Sequence, residues 1–193
     1  MDTQPLDLEP AARRITAQLD AVDDGALGAV TPCPGVTVGA LLAHIEGLAV
    51  AFRDAARKEP GPATDSAPDV ESGVLASGWR TTLPAALDGM AAAWRSPDAW
   101  EGMTRAGGID LPGQVAGMVA LNELVLHGWD LAKATGQPFD AEEAHLRNTL
   151  ALLADQGDDP SPFGPPVPVA DDAPLLDRAV ARGGRRPDWR PGS

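Results

Sequence analysis

The sequence predicts an all-α fold, an antiparallel bundle of about four long helices with a short additional C-terminal helix. Three observations point there: apolar residues recur at helical spacing in successive stretches, period-two strand patterns are scarce, and connections rich in Gly and Pro punctuate the stretches. At 193 residues the chain is long enough to bury a core without disulfides. One domain is expected over residues 1–193, with the bundle at about 5–156 and a Pro-rich connection and C-terminal segment at 157–193.

From Asp7, the positions Leu8, Ala11, Ala12, Ile15, Leu19 and Val22 fall on one helix face. Asp7 is the expected cap, and Pro10 suits a first turn, where its missing N–H breaks no helical bond. After Thr31-Pro32-Cys33-Pro34-Gly35, Thr37 should cap a second helix with the stripe Val38, Leu41, Leu42, Ile45, Leu48, Ala49 and Phe52. Lys58 to Ser72 is rich in Pro, Gly, Asp and Ser and reads as a surface loop. Trp79, Leu83, Leu87 and Met90 mark a third helical region, which Pro84 is expected to kink or split.

A weak extended pattern runs from Met103 to Ile109. Asp110 is the expected cap of a fourth helix that begins near Pro112 and stops where Gly136 supplies a left-handed residue. Its middle, Val115 to Leu131, is apolar on almost every side, so it should be the most buried helix. The spacing of Asp140 to Glu143 resembles a capping box opening a fifth helix through Leu146, Leu150, Leu152 and Leu153. Gly157 to Asp172 reads as a long connection, and Ala173 to Arg182 as the last short helix.

Twenty-eight acidic against fifteen basic side chains give a net charge of −13, which opposes nucleic acid and anionic membranes as partners. No segment has the length needed to cross a bilayer, and Met1-Asp2-Thr3-Gln4-Pro5 has neither a basic nor an apolar leader region. A cytoplasmic location is expected, and the single Cys33 allows no intramolecular disulfide.

Chemistry concentrates in three residues. Glu123 and His127 lie four apart on the most apolar helix, so their side chains point the same way and can converge on one ion. Leu121, Leu124, Val125, Leu126 and Trp129 surround them, and a carboxylate in such a place needs a compensating partner. His44, at the margin of the second helix's stripe, is the third candidate ligand. Two histidines and a carboxylate leave coordination positions open, as catalytic rather than structural sites do, and suit Zn²⁺, Ni²⁺ or Fe²⁺ without choosing among them. Glu123 paired with either histidine would satisfy the same burial without metal, so the residues alone leave both arrangements open.

The segment Thr31-Pro32-Cys33-Pro34-Gly35-Val36-Thr37 through His44-Ile45, followed by Asn122-Glu123-Leu124-Val125-Leu126-His127-Gly128-Trp129-Asp130-Leu131-Ala132, resembles the mycothiol-dependent maleylpyruvate isomerase N-terminal-domain family of the DinB-like superfamily. Gly164 to Val169 and the stretch through Asp188-Trp189 are similar to the C-terminal end of one metal-binding branch of that family. The resemblance implies a DinB-like four-helix bundle with a divalent metal held by His44, Glu123 and His127. It also implies a low-molecular-weight thiol such as mycothiol as cosubstrate, a small electrophile as substrate, and S-transferase or isomerase chemistry. The family's isomerase carries a further C-terminal domain that this shorter chain is expected to lack. The alternative is a non-catalytic metal-binding or partner-binding domain; a homodimer is an allowed assembly.

In the enzymatic reading the metal would activate the thiol, and no side chain is singled out as catalytic. Asp130, three residues after His127, is placed to accept a ligand's second N–H, to hold water, or to form a salt bridge. Gly128 implies either close helix approach or room beside the ion. Cys33 is a redox or ligand candidate that is more simply a small buried apolar residue. His145, beside Glu142 and Glu143, reads as a solvated position and is the substitute ligand should His44 fail. Arg80 could greet an anionic substrate or form a surface ion pair, and Trp129 could line a pocket or serve the core.

Overall fold

The computed structural model describes residues 6–71, 73–154 and 164–191. Helix α1 (Glu9–Leu19) carries Pro10 in its first turn, and Leu8, Ala11, Ala12, Ile15, Leu19 and Val22 are all buried, as the periodicity requires. Asp7 does not sit at the cap position; its Oδ1 accepts the Glu9 N–H at 2.9 Å from just outside the helix. A 3₁₀ turn at Asp24–Gly28, capped by Asp23, leads to α2 (Val38–Arg57). Thr37 caps α2 by accepting the Ala40 N–H at 3.3 Å, and the whole expected apolar stripe of this helix is buried.

Helix α3 (Trp79–Trp94) runs unbroken through Pro84. The expected split does not occur because proline removes one hydrogen bond, and the carbonyl left without it belongs to the exposed Arg80. A single turn, α4 (Pro97–Trp100), precedes an antiparallel hairpin of β1 (Met103–Ala106) and β2 (Ile109–Pro112). The weak extended signal is thus a two-stranded ribbon, with Met103 opposite Pro112 and Ala106 opposite Ile109. Asp110 is not a helix cap: it faces Arg105 across this ribbon and pairs with it at 2.9 Å.

Helix α5 (Gly113–Ala134) is the most buried element, and it ends as expected at Gly136, whose φ of +68° suits glycine. The Gln137 N–H reaches back to the Ala132 carbonyl at 2.8 Å, completing the C-terminal turn. Helix α6 (Glu143–Ala154) starts without the expected capping box. Arg14 on α1 holds the Asp140 carboxylate through two bonds of 2.7 and 3.0 Å, while Glu143 pairs with Arg147. Leu146 and Leu153 are buried, and Leu150 and Leu152 only partly so.

Helix α7 (Leu175–Arg182) is the short C-terminal helix. The expected connection from Gly157 lies outside the described residues as far as Phe163, as does Ser72 in the earlier loop. Helices α1, α2, α3 and α5 form the bundle, α2 packing on α3 and α5 and α1 on the same two. Helix α6 covers the other side of α5, and α7 packs on α6. No helix among the described residues is long and apolar enough to cross a membrane.

Candidate metal centre

Where α2 crosses α5, one turn of each helix turns polar. The i, i+4 relation sets Glu123 and His127 on one face of α5, and the packing of α2 brings His44 opposite. One ligand atom from each of the three lies within 4.8 Å of the other two. The imidazoles of His44 and His127 meet edge to face, with ring centres 5.0 Å apart and planes at 89°. Nε2 of His127 is 3.0 Å from Oε2 of Glu123, and its Nδ1 is 3.1 Å from Oδ2 of Asp130.

Burial makes this convergence costly. His44 is 8% exposed, His127 4% and Asp130 0%. Oε2 of Glu123 and Nδ1 of His44 are buried without a hydrogen bond of good geometry. Such atoms are rare in folded proteins, because each costs about 1–3 kcal/mol relative to a satisfied one.

The electrostatics differ at each member. Burial, aided by the neighbouring His127, pushes the His44 imidazole down to about 4, against the partial support of Glu123 and the Pro68 carbonyl. His127 is also opposed by burial, but the hydrogen bond to Asp130, the close contact with Glu123 and the charges of both acids raise it above the ordinary histidine value. Burial opposes ionisation of Asp130, yet the Arg185 charge and the His127 hydrogen bond hold it below the usual carboxylate range.

The loop before α3 closes one side of the site. A Cβ on Gly47 would come within 3.0 Å of Pro68, and one on Gly73 within 3.2 Å of Ala43, so the loop lies directly on α2. On another side, half-buried Cys33 is within electrostatic reach of Arg185, Asp130 and Glu123. Burial first raises its thiol, against the Arg185 charge and with smaller help from Asp130, Glu123 and Glu71, which makes it a weak nucleophile at neutral pH.

Other expected positions resolve differently. His145 is not solvated: it is 1% exposed, on the α6 face that also buries Leu146 and Thr149, with Nε2 3.5 Å from Glu142. It is absent from the group of converging ligand atoms. Trp129 belongs to the core, packed with Leu126, Leu153 and Val180. Gly128 serves close helix approach, since a Cβ there would sit 3.0 Å from Phe139 and 3.2 Å from Ile15. Arg80 pairs with Asp24 at 2.9 Å, bonds the Val22 carbonyl at 2.8 Å and lies over the Trp79 ring, so it braces the 3₁₀ turn. Arg185 went unnoticed in the sequence; the one local signal was Gly183-Gly184 directly after a helix, which announces a chain reversal.

Residues 8–132 match the model of the mycothiol maleylpyruvate isomerase N-terminal domain family. Two uncharacterized proteins of Mycobacterium tuberculosis, MT0763 of strain CDC 1551 / Oshkosh and Rv0738 of strain ATCC 25618 / H37Rv, are each 31% identical over 151 residues. These alignments cover 77% of this chain and 75% of each relative. Among solved structures, a mycothiol-dependent maleylpyruvate isomerase and its histidine-to-alanine mutant share the fold with TM-scores of 0.58 and 0.61 at 23% identity. The match covers 76% of this chain, which spans 66% of the length of those structures. The chain therefore belongs to the mycothiol maleylpyruvate isomerase N-terminal domain family.

Proposed function

We propose that His44, Glu123 and His127 hold one divalent cation, with Zn²⁺ the expected ion, and that the protein is a thiol-dependent S-transferase or isomerase. The observation that carries the reading is the convergence of three ligand atoms within 4.8 Å, two of the residues bearing buried atoms that lack a good hydrogen bond. Two imidazoles and a carboxylate fit such an ion: they are neutral or singly negative ligands, and three protein ligands leave room for small molecules. A bound divalent ion supplies Lewis acidity, lowering the proton affinity of a thiol or polarising a carbonyl.

This chain's residues do the rest. Glu123 contributes the single negative charge among the three ligands, and His44 and His127 meet edge to face beside it. Asp130 receives Nδ1 of His127, so Nε2 is the nitrogen turned toward Glu123. The loop lying on α2 and the apolar flanks of α5 restrict water. With the Cys33 thiol raised by burial, the nucleophile in this reading is a small-molecule thiol, and the family relationship makes a mycothiol-type thiol the first choice. The same reading takes residues 1–193 as one domain in the cytoplasm, where thiols stay reduced.

Metal analysis of protein purified without a histidine tag tests the site. An equimolar divalent ion that disappears in His44→Ala and Glu123→Ala is expected; metal-free protein that takes up none on addition sinks the proposal. Thiol consumption with a panel of small electrophiles then tests the activity, which should require both metal and thiol.

A further inference from the structure

We infer that Arg185 is a positioning residue for His127, so that the C-terminal segment, beyond the family-matched residues 8–132, completes the candidate centre. The consequence for metal binding rests on the reading above; the geometry does not.

The inference starts from how α7 ends. The Gly184 N–H donates to the Ala181 carbonyl and the Arg185 N–H to the Val180 carbonyl, both at 3.0 Å, with Gly184 at a φ of +82°. These paired bonds form a Schellman turn, which folds the residue after the glycine back against its own helix, where an apolar side chain commonly packs. Here the returning residue is an arginine, and it is 4% exposed. Its Nη1 donates to the Gly183 carbonyl at 2.7 Å, which anchors one end of the guanidinium to the turn. Nη2 donates to Oδ2 of Asp130 at 2.7 Å, and Nε lies 3.2 and 3.3 Å from Oδ1 and Oδ2. Oδ2 of Asp130 in turn meets Nδ1 of His127 at 3.1 Å.

A continuous chain therefore runs from the C-terminal turn through Asp130 to a candidate ligand. Stability alone is a poor explanation for it, since well-packed apolar residues commonly match or exceed a buried ion pair. Orientation is the better one. A rigid planar fork held at both ends fixes the plane of the carboxylate, and the carboxylate fixes which ring nitrogen of His127 bears its proton. With Nδ1–H given to Asp130, the other nitrogen, 3.0 Å from Oε2 of Glu123, is the one left to face the other candidate ligands. Partners of this kind typically change metal affinity by about 10–100-fold when removed.

The test uses the full chain with Co²⁺ as the probe. Arg185→Met should weaken Co²⁺ binding by about 10–100-fold, and Arg185→Lys should recover only part of the loss, because an ammonium keeps the charge without the fork. Nitrogen NMR of the metal-free, unaltered chain, at a pH high enough to leave the ring neutral, should find the proton on Nδ1 of His127, and in Arg185→Met the ring signals should shift toward a tautomer mixture. Unchanged Co²⁺ affinity and unchanged ring signals in a folded Arg185→Met overturn the inference. So does a bare Nδ1 in the unaltered chain, a result that needs no variant to fold. If Arg185→Met fails to fold, Arg185→Lys carries the same comparison. If the unaltered chain binds no Co²⁺, the metal reading fails, while the His127 ring signals still decide whether Arg185 positions the imidazole.

Discussion

Around His127, two crossing helices bring a second histidine and two carboxylates into one buried volume, whereas His145 has Glu142 just before α6, with the Asp7 backbone and the charges of Arg14 and Asp7 acting from the N-terminal segment, and no converging ligand set. Both histidines are buried, and both have an acid within one turn of helix. The Glu142 side chain is half exposed and 3.5 Å away, while the acids beside His127 lie within 3.1 Å and are enclosed. A histidine with an acid at helical spacing is thus only a pair. It becomes a site when another element delivers a further ligand to the same space, as α2 does with His44.

The largest effect expected is on the metal uptake proposed for the first of these two regions. Replacing Glu123 by alanine should abolish equimolar metal uptake, and His145→Ala should leave it intact; elemental analysis reading metal loss in both would erase the distinction. Next, Asp130→Ala strands the buried Arg185 charge and should destabilise the fold by about 3–5 kcal/mol in urea unfolding. A loss under about 1 kcal/mol would show that the pair is not closed off from water.

Protonation sharpens the comparison from the other side. Burial, as the first cause, lowers the His145 pKa, so in the folded state this group binds fewer protons than in the unfolded chain. Its contribution to stability is complete above the unfolded value of about 6.5 and is lost as pH falls from there toward the folded value. His145→Gln should therefore flatten the decline of stability below about pH 6.5 by up to about 1.4 kcal/mol per pH unit, measured by urea unfolding across that range. An unchanged slope would mean that His145 is accessible to protons and water in the fold. The smallest effect is expected from Glu142→Ala, within about 0.5 kcal/mol of the unaltered stability, because the acid is half solvated and its contact long.

Much of this was legible from residues alone where the governing physics is local. The stripe of α2, the Thr37 cap, the Gly136 stop and the shared face of Glu123 and His127 each depend on neighbours within about one or two turns. The failures share the opposite cause. Asp110 and Asp140 have the composition of caps, but Arg105 and Arg14 claim them from across a strand and from a distant helix. His145 looks solvated beside two acids, yet the helix turns it inward with Leu146 and Thr149.

By itself, then, the sequence determined a mostly helical chain, the helices that carry the polar residues, and the three side chains most worth testing, because periodicity, capping and spacing act over a few residues. The tertiary structure alone decided that those three side chains meet, that Gly128 admits α1 instead of an ion, and that an arginine 55 residues beyond Asp130 returns to hold it. Ion pairs and interhelical contacts of that reach are set by how faces pack in three dimensions, and no local pattern encodes the partner.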